Sequence, residues 1–267
     1  MTDIAQAARA VLLAAEPLDK VRAARRTARA WRAGALDHRF SVPMPNRPSR
    51  PGRPELLAGS RMPKRGKGGS ERNRIALLHA LAHIEFGAID LAFDLVGRFG
   101  GLFPREFVDD WIGVGADEAM HFALLDRRLR ALGSFYGDLP AHDGLWEAAE
   151  STAEDVLGRL AVVPMVLEAR GLDVTPDTVA RLEVVGDVRS AAILNRIYRD
   201  EIRHVGVGTK WFKKACESRG LPAVPEWKRL IGTYFRGSLK PPFNDSARGE
   251  AGLSRDFYAG VALERDV

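Results

Sequence analysis

The chain has 267 residues, a single cysteine (Cys216), a hydrophobic content of 46% and a net charge of +5. One cysteine excludes an internal disulfide framework and fits a reducing compartment. We find no run of eighteen apolar residues and no basic segment ahead of the apolar N-terminal stretch, so we expect neither a membrane span nor a secretory signal. These features predict a cytoplasmic protein with no membrane partner, and the mild basicity permits an anionic partner.

Apolar residues recur at helical spacing along the whole chain, whereas alternating β-branched runs are missing, so we predict an all-α protein. Residues 2–33 predict two helices, with Pro17 in the first turn of the second. Residues 43–66 are rich in Pro, Gly and Arg, a composition that forbids a helix and predicts an arm packed on the domain. Further helices are predicted over 69–99, 104–132, 144–170, 176–186, 187–219 and near 225–234.

The pattern Asp-Glu-x-x-His occurs twice, as DEAMH at 117–121 and DEIRH at 200–204. Each Glu and His share one helix face with apolar residues. Glu85 and Glu168 lie on similar apolar faces of two other predicted helices. Buried carboxylates are costly unless positive charge compensates them, and these faces carry no Lys or Arg. The pattern therefore predicts bound metal cations.

The spacing indicates a duplication, because Glu118 follows Glu85 at the same interval at which Glu201 follows Glu168. Between the halves, residues 133–143 can extend over about 37 Å, enough for a long crossover. Two Glu-x-x-His helices and one Glu from each of two others form the dinuclear site of ferritin-like four-helix bundles. We predict this fold, with two ions that are iron, or alternatively manganese or a mixed pair. The predicted ligands are Glu85, Glu118, His121, Glu168, Glu201 and His204.

The Asp of each motif, Asp117 or Asp200, is predicted to accept a hydrogen bond from a ligand histidine on the opposite helix. We expect three regions: N-terminal helices and arm at 1–66, the bundle at 67–220, and a mostly irregular C-terminal tail packed on it at 221–267.

Other residues leave alternatives open. Tyr198, one turn before Glu201, is a candidate catalytic phenol or a hydrogen-bonded core tyrosine. For His79 and His83, surface or core-edge roles are expected rather than metal ligation. Glu168 follows Pro164, which can kink the helix, and Glu154 upstream is the alternative ligand to Glu168.

The second helix carries a basic series that is either a solvated face or a surface for an anion or RNA: Lys20, Arg22, Arg25, Arg26, Arg29 and Arg32. Gly115 and Gly208, near Glu118 and Glu201, either open an apolar substrate cavity walled by Trp111 or Tyr198, or allow close helix packing.

The segments HALAHIEFGAIDLAFDL, GADEAMHFALL, VPMVLEARGLDVTP, RIYRDEIRHVGVGTKWF and KPPFNDSARGEAGLS resemble the bacterial ferritin-like proteins of domain-of-unknown-function family 455. The resemblance runs from about residue 40 to the tail. It implies a ferritin-like bundle with a dinuclear site at the six ligands above, and it implies no particular reaction. A more distant similarity is to iron-dependent hydroxylases of modified tRNA.

Three functions follow from these patterns. The first is an O₂-dependent di-iron oxidase or monooxygenase acting on an unknown small molecule. The second is an iron-handling protein that oxidises or stores iron. The third is an RNA-binding module with a structural metal. The substrate, the redox partner and the oligomeric state are not fixed by the sequence.

Overall fold

The computed structural model describes residues 2–63 and 69–261. Within them the protein is built of helices, with two isolated β-bridges and no strand. The all-α prediction is therefore confirmed. The chain forms two compact units, Met1–Trp146 and Glu147–Val267. The division at 66 and 220 stays a prediction, and its first boundary lies outside the described residues.

The first unit is a long helical hairpin covered by the N-terminal helices. Its elements are α1 (Ile4–Leu13), α2 (Pro17–Arg32), a 3₁₀ turn (Gly59–Arg61), α3 (Glu71–Phe99), a second 3₁₀ turn (Gly100–Leu102) and α4 (Arg105–Ala131); α5 (Gly144–Ser151) begins at its end. Helix α1 packs on α3, and α2 packs on α4. The predicted pair of N-terminal helices is confirmed, with Pro17 in the first turn of α2.

Residues 44–50 of the Pro-rich arm lie against α3, as predicted. Met44 is buried and occupies the space beside Gly97, where an added Cβ would lie 2.2 Å from the Met44 sulfur. The amide of Leu57 donates to the Ala141 carbonyl at 2.8 Å, which ties the arm to the segment after α4. Residues 64–66 of the predicted arm lie outside the described residues.

The segment after α4 runs back along α3, as a long crossover does. His79 Nε2 accepts from the amide of Gly137 at 2.9 Å, and His83 Nε2 lies 3.1 Å from the carbonyl of His142. Contacts therefore advance along α3 and along residues 133–143 in the same direction. The two histidines hold this crossover, which fits the core-edge role that was one of the alternatives predicted for them.

The second unit contains another long hairpin and the C-terminal tail. Its elements are α6 (Val156–Val162), a π-helical segment (Val163–Glu168), α7 (Ala169–Val184), α8 (Val188–Glu217), α9 (Ala223–Tyr234), α10 (Asp245–Glu250) and α11 (Arg255–Tyr258). The first three follow one another without a break and pack on α8. The predicted helix near 225–234 corresponds to α9.

The predicted end of a helix at Gly171 is wrong, because the helix continues through Gly171 and Pro176 to the end of α7. Proline has no N–H, so Pro176 leaves the carbonyl of Leu172 without its helical donor. The side-chain nitrogen of Asn244 in the tail donates to this carbonyl at 3.2 Å. A distant residue therefore stabilises a helix that local sequence rules would end.

Among the described residues one helical stretch, Glu71–Leu102, is long and apolar enough to cross a membrane. Because 61% of its most apolar window is buried within the protein, its surroundings are those of a core helix.

Candidate metal centre

The first hairpin brings three of the predicted ligands together. Glu85 lies on α3, and Glu118 and His121 lie one turn apart on α4; all three are buried. His121 Nδ1 is 3.2 Å from Glu85 Oε2 and 3.2 Å from Glu118 Oε2. Their ligand atoms lie within 4.8 Å of one another. These side chains form a buried cluster that could hold a metal ion.

Burial and mutual charge shift the acidity of this cluster. Burial, and then the neighbouring charge of Glu118, raise the pKa of Glu85 well above its usual value. Burial disfavours a charged imidazole, but hydrogen bonds to Glu118 and Glu85 raise the pKa of His121 to about 11. Two carboxylates at this distance repel each other, so the pair favours a shared positive charge.

The second hairpin carries the other three predicted ligands. Glu168 is the last residue of the π-helical segment and is half-buried. On α8, Glu201 is half-buried and His204 is fully buried, with His204 Nδ1 at 3.5 Å from Glu201 Oε1. This unit therefore repeats the Glu-x-x-His pair on α8, and the opposite side of the hairpin bears Glu168.

Both hairpins place their carboxylates at matching heights. Glu85 lies nearly as far before the end of α3 at Phe99 as Glu118 lies after the start of α4 at Arg105. Glu168 and Glu201 are placed in a similar way around the turn between α7 and α8. With a rise of about 1.5 Å per residue, the two carboxylates of each hairpin lie within about one turn of the same level.

Comparison with known proteins supports the resemblance seen in the sequence. The family model described as "Protein of unknown function (DUF455)" matches residues 13–259. The chain belongs to the DUF455 family. An uncharacterized protein of Haemophilus influenzae is 41% identical over 220 residues, which cover 80% of this chain and 76% of that relative. No solved structure matches the chain.

The two Asp residues of the repeated motif are half-buried in this DUF455 protein. Asp200 accepts a hydrogen bond from Arg196 Nε at 2.7 Å, one turn earlier on α8. The predicted hydrogen bonds from ligand histidines to Asp117 and Asp200 stay predictions.

Tyr198 is half-buried, and its hydroxyl accepts a hydrogen bond from Asn244 Nδ2 at 3.1 Å. It thus joins α8 to the tail residue that also supports α7. This contact fits the hydrogen-bonded core tyrosine, and a catalytic role for Tyr198 stays a prediction.

Sequence reasoning missed a second repeated feature. In each hairpin an aspartate follows, at the same interval, the predicted ligand Glu that has no His in its motif. Asp90 follows Glu85, and Asp173 follows Glu168. Both aspartates are buried and neither is a predicted ligand. The equal spacing was the available signal.

In the first unit, Asp90 pairs with Lys20 Nζ at 2.6 Å and with Arg50 of the arm. Lys20 is fully buried, so its assignment to an exposed basic face was wrong. Its ammonium also donates to the carbonyls of Val11 and Leu12 at 3.0 and 3.3 Å. These bonds offset the cost of burying the charge and attach α1, α2 and the arm to α3.

In the second unit, Asp173 receives both hydrogen bonds of a bidentate pair with Arg248, at 2.8 and 2.7 Å. The Arg248 guanidinium lies 5.0 Å from the ring centre of Phe243 and 4.6 Å from that of Tyr258. The amide of Asn244 also donates to Asp173 at 2.9 Å. The segment KPPFNDSARGE therefore attaches the tail to α7.

Gly115 and Gly208 do not open a cavity next to the ligands. An added Cβ at Gly115 would lie 2.7 Å from the Phe93 ring, and one at Gly208 would lie 2.3 Å from the Pro164 side chain. The space beside both glycines is filled, so close helix packing is their role. At Gly208 this contact seats α8 on the π-helical segment that carries Glu168.

Proposed function

We propose that the two hairpins together bind two metal ions and that the protein is a cytoplasmic, O₂-dependent oxidoreductase of the di-iron type. The proposal requires the two half-sites to face each other within a ferritin-like bundle. The proposed ligands are Glu85, Glu118, His121, Glu168, Glu201 and His204.

One observation carries the proposal: each unit pairs a Glu-x-x-His helix with a second helix that bears a Glu at nearly the same height. Two such pairs supply four carboxylates and two imidazoles, the set used by dinuclear carboxylate bundles. Mixed oxygen and imidazole donors suit iron or manganese, and the single cysteine is elsewhere, buried on α8. The donor set therefore fits the proposed metals.

The chain's own residues would perform two tasks at this site. Glu85 and Glu118, held close to His121, would bind the ions with their negative charge. The rings of Phe86 and Phe122, next in sequence to two ligands, pack with centroids 5.4 Å apart and would exclude water on that side. A bound iron pair would supply O₂ activation.

The π-helical segment supports a ligand role for Glu168. Single π-turns inside α-helices are costly and occur frequently at functional sites. Here the π-helical segment contains Pro164 and ends at Glu168. A change of helix type at this point resets the direction of the Glu168 side chain relative to a regular helix.

A second function, iron oxidation or storage without an organic substrate, is favoured by the filled space beside Gly115 and Gly208. Those glycines were the sequence argument for a substrate cavity, and that argument no longer applies.

Oxygen uptake after anaerobic ferrous loading tests both functions. A di-iron oxidoreductase should consume O₂ in proportion to two site-bound ions per chain and then stop until reduced. Continued oxidation of added iron would favour iron handling. Glu118→Ala should abolish protein-dependent uptake, whereas the exposed control Glu183→Ala should retain it. Equal uptake by both variants would contradict the proposed site.

A further inference from the structure

The exposed face of α2 consists of five arginines at steps of three and four residues. Such spacing places them on one side of the helix. All five are exposed. We call this set the arginine stripe: Arg22, Arg25, Arg26, Arg29 and Arg32.

Little negative charge balances the stripe. Asp19 lies 3.4 Å from Arg22, with both side chains exposed. In the part of the chain that the structure describes, no carboxylate pairs with the other four arginines. Residues 1–39 contain eight Lys or Arg and four Asp or Glu, a net charge of +4 against +5 for the whole chain. Residues 40–67 add seven Lys or Arg and one Glu, so the excess positive charge lies in the first 67 residues, which include α2.

The stripe has no role in folding that would explain it. The opposite face of α2, including Val21, Ala24, Ala28 and Trp31, is buried. Lys20, the remaining cation of the series, pairs with Asp90 inside the unit. Like charges three and four residues apart destabilise a helix. The five arginines on one face of α2 therefore lower its stability unless an anion outside the fold neutralises them.

We propose that the arginine stripe binds the phosphodiester backbone of a nucleic acid. Guanidinium groups bind phosphate oxygens in bidentate fashion, and all five residues of the stripe are arginine rather than lysine. Arg22 and Arg32 are separated by about 15 Å along the helix axis. A duplex carries one negative charge per roughly 1.7 Å of its axis, so one helical face can meet several phosphates.

An anionic membrane fits this surface less well. Interfacial helices insert an apolar face into the lipid, and the apolar face of α2 is already buried within the unit. A nucleic acid requires only the exposed guanidinium groups. The proposal is independent of the metal site, which involves no residue of α2.

Binding of fluorescein-labelled RNA of mixed sequence, followed by anisotropy as salt is raised, tests this assignment with the full chain. Labelled RNA duplex and DNA duplex distinguish the preferred backbone. Vesicles containing phosphatidylserine report membrane binding. The stripe variant carries Arg22→Gln, Arg25→Gln and Arg29→Gln. The matched control carries the same change of charge at exposed positions of the second unit: Arg189→Gln, Arg219→Gln and Arg236→Gln. Glutamine is nearly as good a helix former as arginine, and equal melting temperatures would verify that both variants fold.

We expect the stripe variant to bind at least one of the three nucleic acids roughly tenfold or more weakly, with a shallower salt dependence because fewer counterions are released. The control should bind like the unaltered protein. If both variants bound nucleic acid equally weakly, the loss would come from net charge alone, which would overturn the proposal. So would stripe-dependent binding to vesicles without binding to nucleic acid, or no measurable binding to any of the three probes.

Discussion

The two hairpins carry the same ligand pattern but hold it differently. In the first, α3 is a regular helix of 29 residues, and Glu85, Glu118 and His121 are buried in one hydrogen-bonded cluster. In the second, the matching helix passes through a π-helical segment, and Glu168 and Glu201 are only half-buried. The comparison predicts that the first half fixes the position of the ions, while the carboxylates of the second half have room to change how they bind.

The same comparison shows what the hairpins share apart from ligands. Each has a buried aspartate at the same interval after its lone Glu, and each aspartate fixes a terminal segment. Asp90 holds the N-terminal helices and arm through Lys20 and Arg50, and Asp173 holds the tail through Arg248. The N-terminal helices and the tail segment around Arg248 are therefore attached to the helices that bear the proposed ligands Glu85 and Glu168.

The largest expected effect comes from breaking these buried ion pairs. Arg248→Ala and Lys20→Ala each leave a buried aspartate without its main partner, which costs about 3–5 kcal/mol of unfolding free energy. Thermal denaturation should detect this as a fall of roughly 2–4 °C per kcal/mol. Arg229→Ala, which removes an exposed pair with Glu226, should change stability little. If all three variants had the same melting temperature, the buried ion pairs would not be what attaches the terminal segments.

The next largest effect concerns the ligands themselves. Glu118→Ala and Glu201→Ala should both lower metal affinity by more than the roughly 10–100-fold loss typical of outer-sphere changes. Because the ligands of the first hairpin are the more buried, Glu118→Ala should lower metal affinity more than Glu201→Ala does. Metal content after dialysis against a competing chelator measures this, with Glu183→Ala as the control. A larger loss for Glu201→Ala would reverse the proposed roles of the halves.

A smaller effect is expected at the aspartates of the repeated motif. The Asp200→Asn and Asp117→Asn variants should still bind the metal, but with an affinity about 10–100-fold lower if these aspartates orient ligand histidines. The observed partner of Asp200 is Arg196, so Arg196→Gln is the discriminating control. Equal affinities in Asp200→Asn, Arg196→Gln and the unaltered protein would mean that Asp200 serves only its neighbour on α8.

The smallest effect is a pH dependence that comes from the first hairpin. Burial lowers the pKa of His79 from its usual 6.5, despite the opposing charge of Asp138. Its unprotonated Nε2 accepts from the Gly137 amide, so protonation breaks a contact with the crossover. Below pH 6.5 the unfolded chain therefore binds more protons than the native one, and the free energy of unfolding falls until the lowered pKa is passed.

Denaturant unfolding at several pH values between 7 and 5 measures this loss. His79→Gln, which can still accept from the amide, should show a weaker dependence on pH than the unaltered protein. Parallel curves for the two proteins would exclude His79 as a source of the loss.

Local patterns predicted most of the helices and the faces of the Glu-x-x-His pairs, because helical periodicity depends on neighbours three and four residues away. They failed where the partner is distant. Lys20 lies 70 residues from Asp90, and Arg248 lies 75 residues from Asp173. Sequence spacing gave no means of pairing a lone basic residue with an aspartate so far away.

The prediction that a helix ends at Gly171 failed for the same reason, because the helix continues past Gly171 and Pro176. Its support comes from Asn244, whose side chain takes the place of the missing proline donor for a carbonyl 72 residues away. The glycines beside the ligands were ambiguous in sequence, since a missing side chain marks an open space and a close contact equally well. Only the positions of Phe93 and Pro164 decide between them.

An anomalous-scattering map of crystals grown from iron-loaded protein tests the central claim most directly. The account predicts two peaks at the iron edge, one within bonding distance of Glu85, Glu118 and His121 and the other within bonding distance of Glu168, Glu201 and His204. A map of fully loaded protein with no peak among these side chains would contradict the paired metal site.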